Sequence, residues 1–303
     1  MDNFHTLFLW QVFSDPTGTH EYPEELLGSK AGIEVALKKF SVIELPYYKE
    51  KVKRPLAFVS IAGSHNYECV IENSDEDYKV VYLPSLEDFY YGRKSPKMDV
   101  ISDAIDLSLH PIQKYRNYML KGNMNFFEML YSKSIYLNPD LKDFWRTMKQ
   151  LVEMNVTNTV VASYMQSRSR LKRTMESTPD TKFMFEAAGY NYKAASFSIR
   201  MLAFIINLLQ EHKIEIAPIE ARRHFIMELK RGAIPHETFI NVYDYLNFQT
   251  IKLAFEHYNS QSDWKISPLV QDQDRAQTDE YKDLNHHADN ELKRVILESF
   301  TNS

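Results

Sequence analysis

A chain of 303 residues, 44% hydrophobic and 13% aromatic, can bury large cores, which excludes a disordered or fibrous class. A net charge of −5 excludes a generally basic, phosphate-grasping surface, so any nucleic-acid contact has to be local. The single cysteine, Cys69, excludes an internal disulfide and a thiolate zinc cage, and it fits a reducing, cytoplasmic setting.

Eight glycines are too few for glycine-rich dinucleotide loops and point to a helix-rich chain. The opening stretch MDNFHTLFLWQVFSDPTG has a short apolar run with no basic segment before it, so no signal peptide is expected. Residues 14–18 carry a turn signal, and EELLGSKAGIEVALKKF after Pro23 reads as one or two helices. Residues 41–55 are a polar connector ending at Pro55. LAFVSIA (56–62) is a short continuous apolar run, expected as a central strand covered on both faces. A Gly63-Ser64 turn follows, and HNYECVIEN after it has no clear periodicity. DEDYKVVYLP is β-rich and stops at Pro84. Residues 85–99 read as a loop or short helix.

ISDAIDLSLH (101–110) partly alternates, with Ile105, Leu107 and Leu109 on one face and Asp106, Ser108 and His110 on the other. Pro111 opens a helix that Gly122 stops, and 123–132 reads as a second short helix. Strand signals fade from about residue 139. Helices are expected over 139–154, 155–177, 192–213, 219–232, 235–259 and 279–300. The apolar run MLAFIINLL (201–209) is too short for a bilayer span of about 20 residues and reads as a buried helix, with no membrane partner. The expected fold class is therefore α+β. A small mixed β-sheet domain with helices occupies residues 1–150, its first 55 residues an extension, and an all-helical domain occupies 151–303.

The chemistry concentrates between Leu56 and Val81. Asp75 and Asp77 are two apart in a strand, hence on one face. Two close carboxylates repel unless a cation sits between them, and a hard ion such as Mg²⁺ suits oxygen ligands. Gly63-Ser64, ten residues before Asp75, could bring backbone N–H groups near a phosphate. A lone D-x-D or Gly-Ser says little, and the competing reading is a solvated acidic turn. The order of apolar strand, Gly-Ser, ten residues and D-x-D leading into a strand says more.

That order resembles the nucleotidyltransferases of the DNA polymerase β superfamily. GSHNY…SDEDYKVVYLPSLEDFYYG is similar to the branch associated with RNA repair. IDLSLHPIQKYRNYMLKGNMNFFEMLYS, VVASYMQSRSRLKR, YKAASFSIRMLAFIINLL and EARRHFIMELKRGAIPHETF are similar to its later blocks, so the likeness covers most of residues 56–240. It implies a nucleotidyltransferase-type sheet domain and a third carboxylate on a neighbouring strand. Asp106 is the best match, with Asp99 and Asp103 as alternatives. Two positions depart from the family pattern. Glu68 stands where a glycine often follows the aromatic residue, and Glu76 stands between the two acids in place of an apolar residue.

The resemblance implies transfer of a nucleoside monophosphate from a nucleoside triphosphate to a hydroxyl, with an RNA or tRNA end as acceptor. A protein hydroxyl is the alternative acceptor. A catalytically silent nucleotide- or protein-binding relative is the alternative function. The implied roles are catalysis and Mg²⁺ or Mn²⁺ binding for Asp75, Asp77 and Asp106, and a grip on the triphosphate for Gly63 and Ser64. Lys193 and Arg200, seven apart and so on one helix face, match basic positions in the family and are expected to reach the nucleotide. The basic runs at Arg168, Arg170, Lys172 and Arg173, and at Arg222, Arg223, Lys230 and Arg231, read as solvated faces or phosphate contacts. His65 is expected to hydrogen-bond within the loop, and Cys69 to be a small buried residue.

Overall fold

The apolar run LAFVSIA forms the strand Leu56–Ala62 (β1), and every residue after Leu56 in it is buried. The computed structural model describes residues 54–72, 74, 76–85, 88, 98–101, 105–132, 134–259 and 279–301. The helices expected over 23–39, and Asp75 and Asp103, lie outside those residues. Glu76–Tyr82 (β2) pairs antiparallel with β1 in a register that sets Ala62 opposite Asp77. Met98–Ile101 (β3) and Ile105–Pro111 (β4) form an antiparallel pair, and β4 runs parallel to β2. Ser134–Leu137 (β5) pairs antiparallel with the other side of β1. The result is a small mixed sheet in the order β3-β4-β2-β1-β5, as the fold class required. β3 and β5 add to the strands expected from the sequence.

Pro111 caps the helix Ile112–Leu120 (α2, counting the single turn Gly63–Asn66 as α1) from just outside it, where its fixed φ and missing N–H cost nothing. Met124–Phe127 (α3) starts where the Asn123 side chain accepts a hydrogen bond from Asn125 N, and it runs into a 3₁₀ turn at Glu128–Leu130. The helical part follows as Lys142–Met154 (α4), Val156–Arg173 (α5), Lys182–Ala188 (α6) and Tyr192–Glu211 (α7). Glu220–Lys230 (α8), His236–Asn259 (α9) and Asp279–Thr301 (α10) complete it.

α7 is the hub. Asn191 caps its first turn by accepting from Ala194 N, and most of the helix from Ala194 to Leu209 is buried. A helix apolar all round has to be enclosed, and α5, α8 and α9 enclose it. Length and composition would allow α7 to cross a bilayer, but its apolar stretch is buried inside the protein, as expected of a core helix. One apolar cluster runs from Ala57 and Phe58 of β1 through Phe127 and Trp145 to Phe204, Phe239 and Val295. α10 returns to pack on α4, and Arg116 of α2 reaches its Asn285 at 2.6 Å and its Asp289 at 2.9 Å.

Candidate active site

The site forms where β1 ends and β2 begins. Gly63 leaves β1 with φ +60°, a backbone conformation that costs an L side chain about 1–2 kcal/mol. A Cβ at this position would lie 1.6 Å from Asp77 Oδ2 and 2.9 Å from Asp77 Cβ. Glycine is therefore required twice, for the dihedral and for the space that the carboxylate fills. Ser64 follows in the single turn α1, and its carbonyl accepts a hydrogen bond from Cys69 N at 3.0 Å, which closes the loop.

β2 and β4 supply the acids. The parallel register sets Asp77 directly across from Asp106, and Lys79 across from Ser108. Asp99 stands on β3, opposite Ser108 and one strand further from β2. Further along β4, Ser108 Oγ lies 2.9 Å from His110 Nε2, and Lys114 Nζ lies 3.0 Å from His110 Nδ1. The alternation expected for residues 106–110 is thus present as a hydrogen-bonded row.

Beneath the acids lies a buried charge cluster. Lys79 Nζ forms an ion pair with the Glu128 carboxylate and donates to the Asn125 carbonyl. Burial pulls the Lys79 ammonium down to about 7, with nearby Arg200 adding to the effect and Asp77 opposing it. Burial pushes the Glu128 carboxyl up to about 8 against the pull of Arg200. Arg200 itself is 5% exposed. Its guanidinium sits 3.5 Å over the Tyr67 ring and 4.9 Å from the Phe197 ring, whose other neighbour is Arg170 at 4.7 Å. Burial lowers Arg200 to about 10. Neither Lys79 nor Glu128 stood out in the sequence. The available signal was a lysine two residues after Asp77, on the same strand face, leading into the apolar VVYL.

The loop between the glycine turn and the acids is clasped by α8. Arg223 pairs with Glu68 at 2.5 Å, Lys230 donates to the Cys69 carbonyl at 2.8 Å, and Arg231 pairs with Glu72 at 3.2 Å. Arg222 turns inward instead, donating to Asn207 Oδ1 at 2.5 Å. These cations, read from the sequence as solvated or phosphate-binding, have protein partners. Glu68 has φ +56°, the left-handed conformation that glycine adopts without strain, so the departure from the family pattern keeps the course of the loop. Cys69 is buried, as expected, and burial pushes its thiol up.

The structure thus gathers Gly63, Ser64, Asp77 and the Asp106 position. Lys193 is exposed in the first turn of α7, while Arg200 lies two turns deeper and enclosed. The donor chemistry fits a divalent cation: Asp77 offers carboxylate oxygens, glycine at 63 keeps their space open, and the strand register sets a second aspartate alongside. Among the described residues no group of three or more His, Cys, Asp or Glu side chains is arranged to hold a metal ion.

No curated protein matches the chain. A crystal structure of a nucleotidyltransferase-like protein from Exiguobacterium sibiricum 255-15 is similar over 88% of this chain and 89% of that one, at 12% identity. Its TM-score of 0.27 is too low for the likeness to bear on fold or function. Residues 37–239 match the family described as the RNA repair pathway DNA polymerase beta family, RlaP. That span holds the glycine turn, the paired aspartate positions, the Lys79–Glu128 pair and the α8 clasp, and the chain belongs to this family.

Proposed function

We propose that this nucleotidyltransferase of the polymerase β superfamily moves a nucleoside monophosphate from a nucleoside triphosphate to the hydroxyl of an RNA or tRNA end. The supporting observation is the register of Asp77 against Asp106, with Gly63 packed on the Asp77 carboxylate. Mg²⁺ or Mn²⁺ bound by Asp75, Asp77 and Asp106 would supply charge neutralisation of the triphosphate and activation of the hydroxyl. The chain's own groups do the rest. Backbone N–H groups of the turn at Gly63 and Ser64 hold the terminal phosphates. Asp106 accepts the proton of the hydroxyl as its oxygen bonds to the α-phosphorus and pyrophosphate leaves. Exposed Lys193 is available to the nucleotide directly, whereas Arg200 acts by holding Tyr67 and the loop. In this reading the part to about residue 150 carries the chemistry and the helical part from 151 keeps the loop in place. The single buried thiol suits a cytoplasmic setting.

The test is transfer of label from each α-labelled nucleoside triphosphate, with Mg²⁺ or Mn²⁺, into bulk RNA and into protein. Labelled RNA and released pyrophosphate are expected, falling on the order of 100-fold or more in Asp77→Asn and in Asp106→Asn. Undiminished transfer in both variants would overturn the site. Label in protein bands would change the acceptor to a protein hydroxyl, and nucleotide binding without transfer would point to a silent relative.

A further inference from the structure

A buried lysine–glutamate pair costs more to desolvate than an apolar pair of the same volume, so packing does not explain its presence. Lys79 lies two residues past Asp77 on β2, and Glu128 is 1% exposed on the 3₁₀ turn after α3. One Glu128 oxygen meets Lys79 Nζ. The other, Oε2, has no hydrogen-bond partner among the described residues. Arg200, itself enclosed by Tyr67 and Phe197, acts electrostatically on both members of the pair, and Asp77 acts on Lys79. Two buried cations and one buried anion therefore stand behind the acid site, an excess of one positive charge in a region of low dielectric.

We propose that Lys79 and Glu128 are positioning residues that set the charge felt by Asp77, and through it the affinity of the site for its divalent cation. Lys79 and Arg200 hold Asp77 ionised before the cation arrives and oppose the cation once it is there. Glu128 offsets one of the two, which keeps binding firm without making release of the cation with pyrophosphate difficult. The pair is far enough inside to do this without touching substrate. This inference rests on the metal site proposed above.

The two members should act with opposite signs. Mn²⁺ binding to the full chain, read from the electron paramagnetic resonance signal of the free ion without nucleotide, is expected to weaken on the order of tenfold in Glu128→Gln, because both cations then face the acids unopposed. It is expected to tighten by a similar factor in Lys79→Met, and to return to within about threefold of wild type in the double variant. A pair serving only to hold the fold would weaken binding in all three. Circular dichroism melts establish that each variant is folded, and Asp77→Asn supplies the background for loss of the site. Weaker or unchanged Mn²⁺ binding in Lys79→Met, with wild type binding normally, overturns this inference alone. If wild type binds no more Mn²⁺ than Asp77→Asn does, the metal site falls and this inference falls with it.

Discussion

Replacing Gly63 with alanine tests the core of the site more sharply than removing an acid. An alanine must adopt φ +60°, which costs about 1–2 kcal/mol. Its methyl group must also fit where the Asp77 carboxylate already lies. The new carbon would be 1.6 Å from Oδ2, 2.5 Å from Cγ and 2.9 Å from Cβ of Asp77. Rotation of the carboxylate can relieve the first two contacts. The third requires the strands themselves to shift, and crowding of that kind costs roughly 1–3 kcal/mol. The sum is about 2–5 kcal/mol of stability. Displacing Asp77 by about an ångström should also cost on the order of 100-fold in turnover. Urea denaturation of Gly63→Ala in the wild-type and Asp77→Ala backgrounds separates the terms, because the second background removes Cγ and both oxygens but leaves the dihedral. The alanine should cost about 1–2 kcal/mol less there. An equal cost in both backgrounds, or one below about 0.5 kcal/mol in wild type, would refute the close packing of turn against acid.

Two further outcomes follow from the local geometry. Glu68→Gly removes a left-handed glutamate along with its partly exposed ion pair to Arg223. Thermal unfolding should show stability unchanged or raised by up to about 1 kcal/mol, while Glu68→Val, which cannot take that dihedral without strain, should lose about 1–2 kcal/mol. Asp88 is held by Arg54 through two bonds of 2.9 and 3.1 Å and by Ser85 N at 2.9 Å. Burial raises its carboxyl, but the bonds to Arg54 and Ser85 outweigh burial and leave it below the ordinary 3.8. Its contribution is therefore present above 3.8 and is lost as the pH falls below that value through the folded-state titration. Asp88→Asn should cost about 1 kcal/mol at neutral pH and flatten the stability profile in that acid window, as followed by denaturation from pH 2 to 6.

Most of the fold was legible because its signals are local. β1 is a continuous apolar run, and the residues of β4 alternate. The helices after residue 139 show apolar spacing, caps and stops. The missed pieces are those whose order comes from partners. Ser134–Leu137 is four residues, too short to show a period, and becomes a strand only because β1 offers it an edge. Gly63–Asn66 has the composition of a turn and forms one helical turn because Cys69 N bonds back to Ser64. Arg223, Lys230 and Arg231 announce charge in the sequence, but charge does not name its partner, and the loop they grip lies about 160 residues earlier in the chain. The buried pair of Lys79 and Glu128 was hidden for the same reason. Each residue alone has the look of a surface charge, and only the fold brings them together.

The return of α10 to α4 has a consequence for how the chain is made. Ala288, Leu292, Val295 and Ile296 are buried in the same apolar cluster as Phe144 and Leu151 of α4, near the beginning of the helical part. A nascent chain that has emerged through α9 has every strand of the sheet but still leaves part of α4 uncovered. That apolar face waits for the last described helix, so folding on the ribosome can assemble the sheet early and finishes only when α10 is free of the exit tunnel. In that interval the uncovered face of α4 is the natural place for a chaperone to hold the chain.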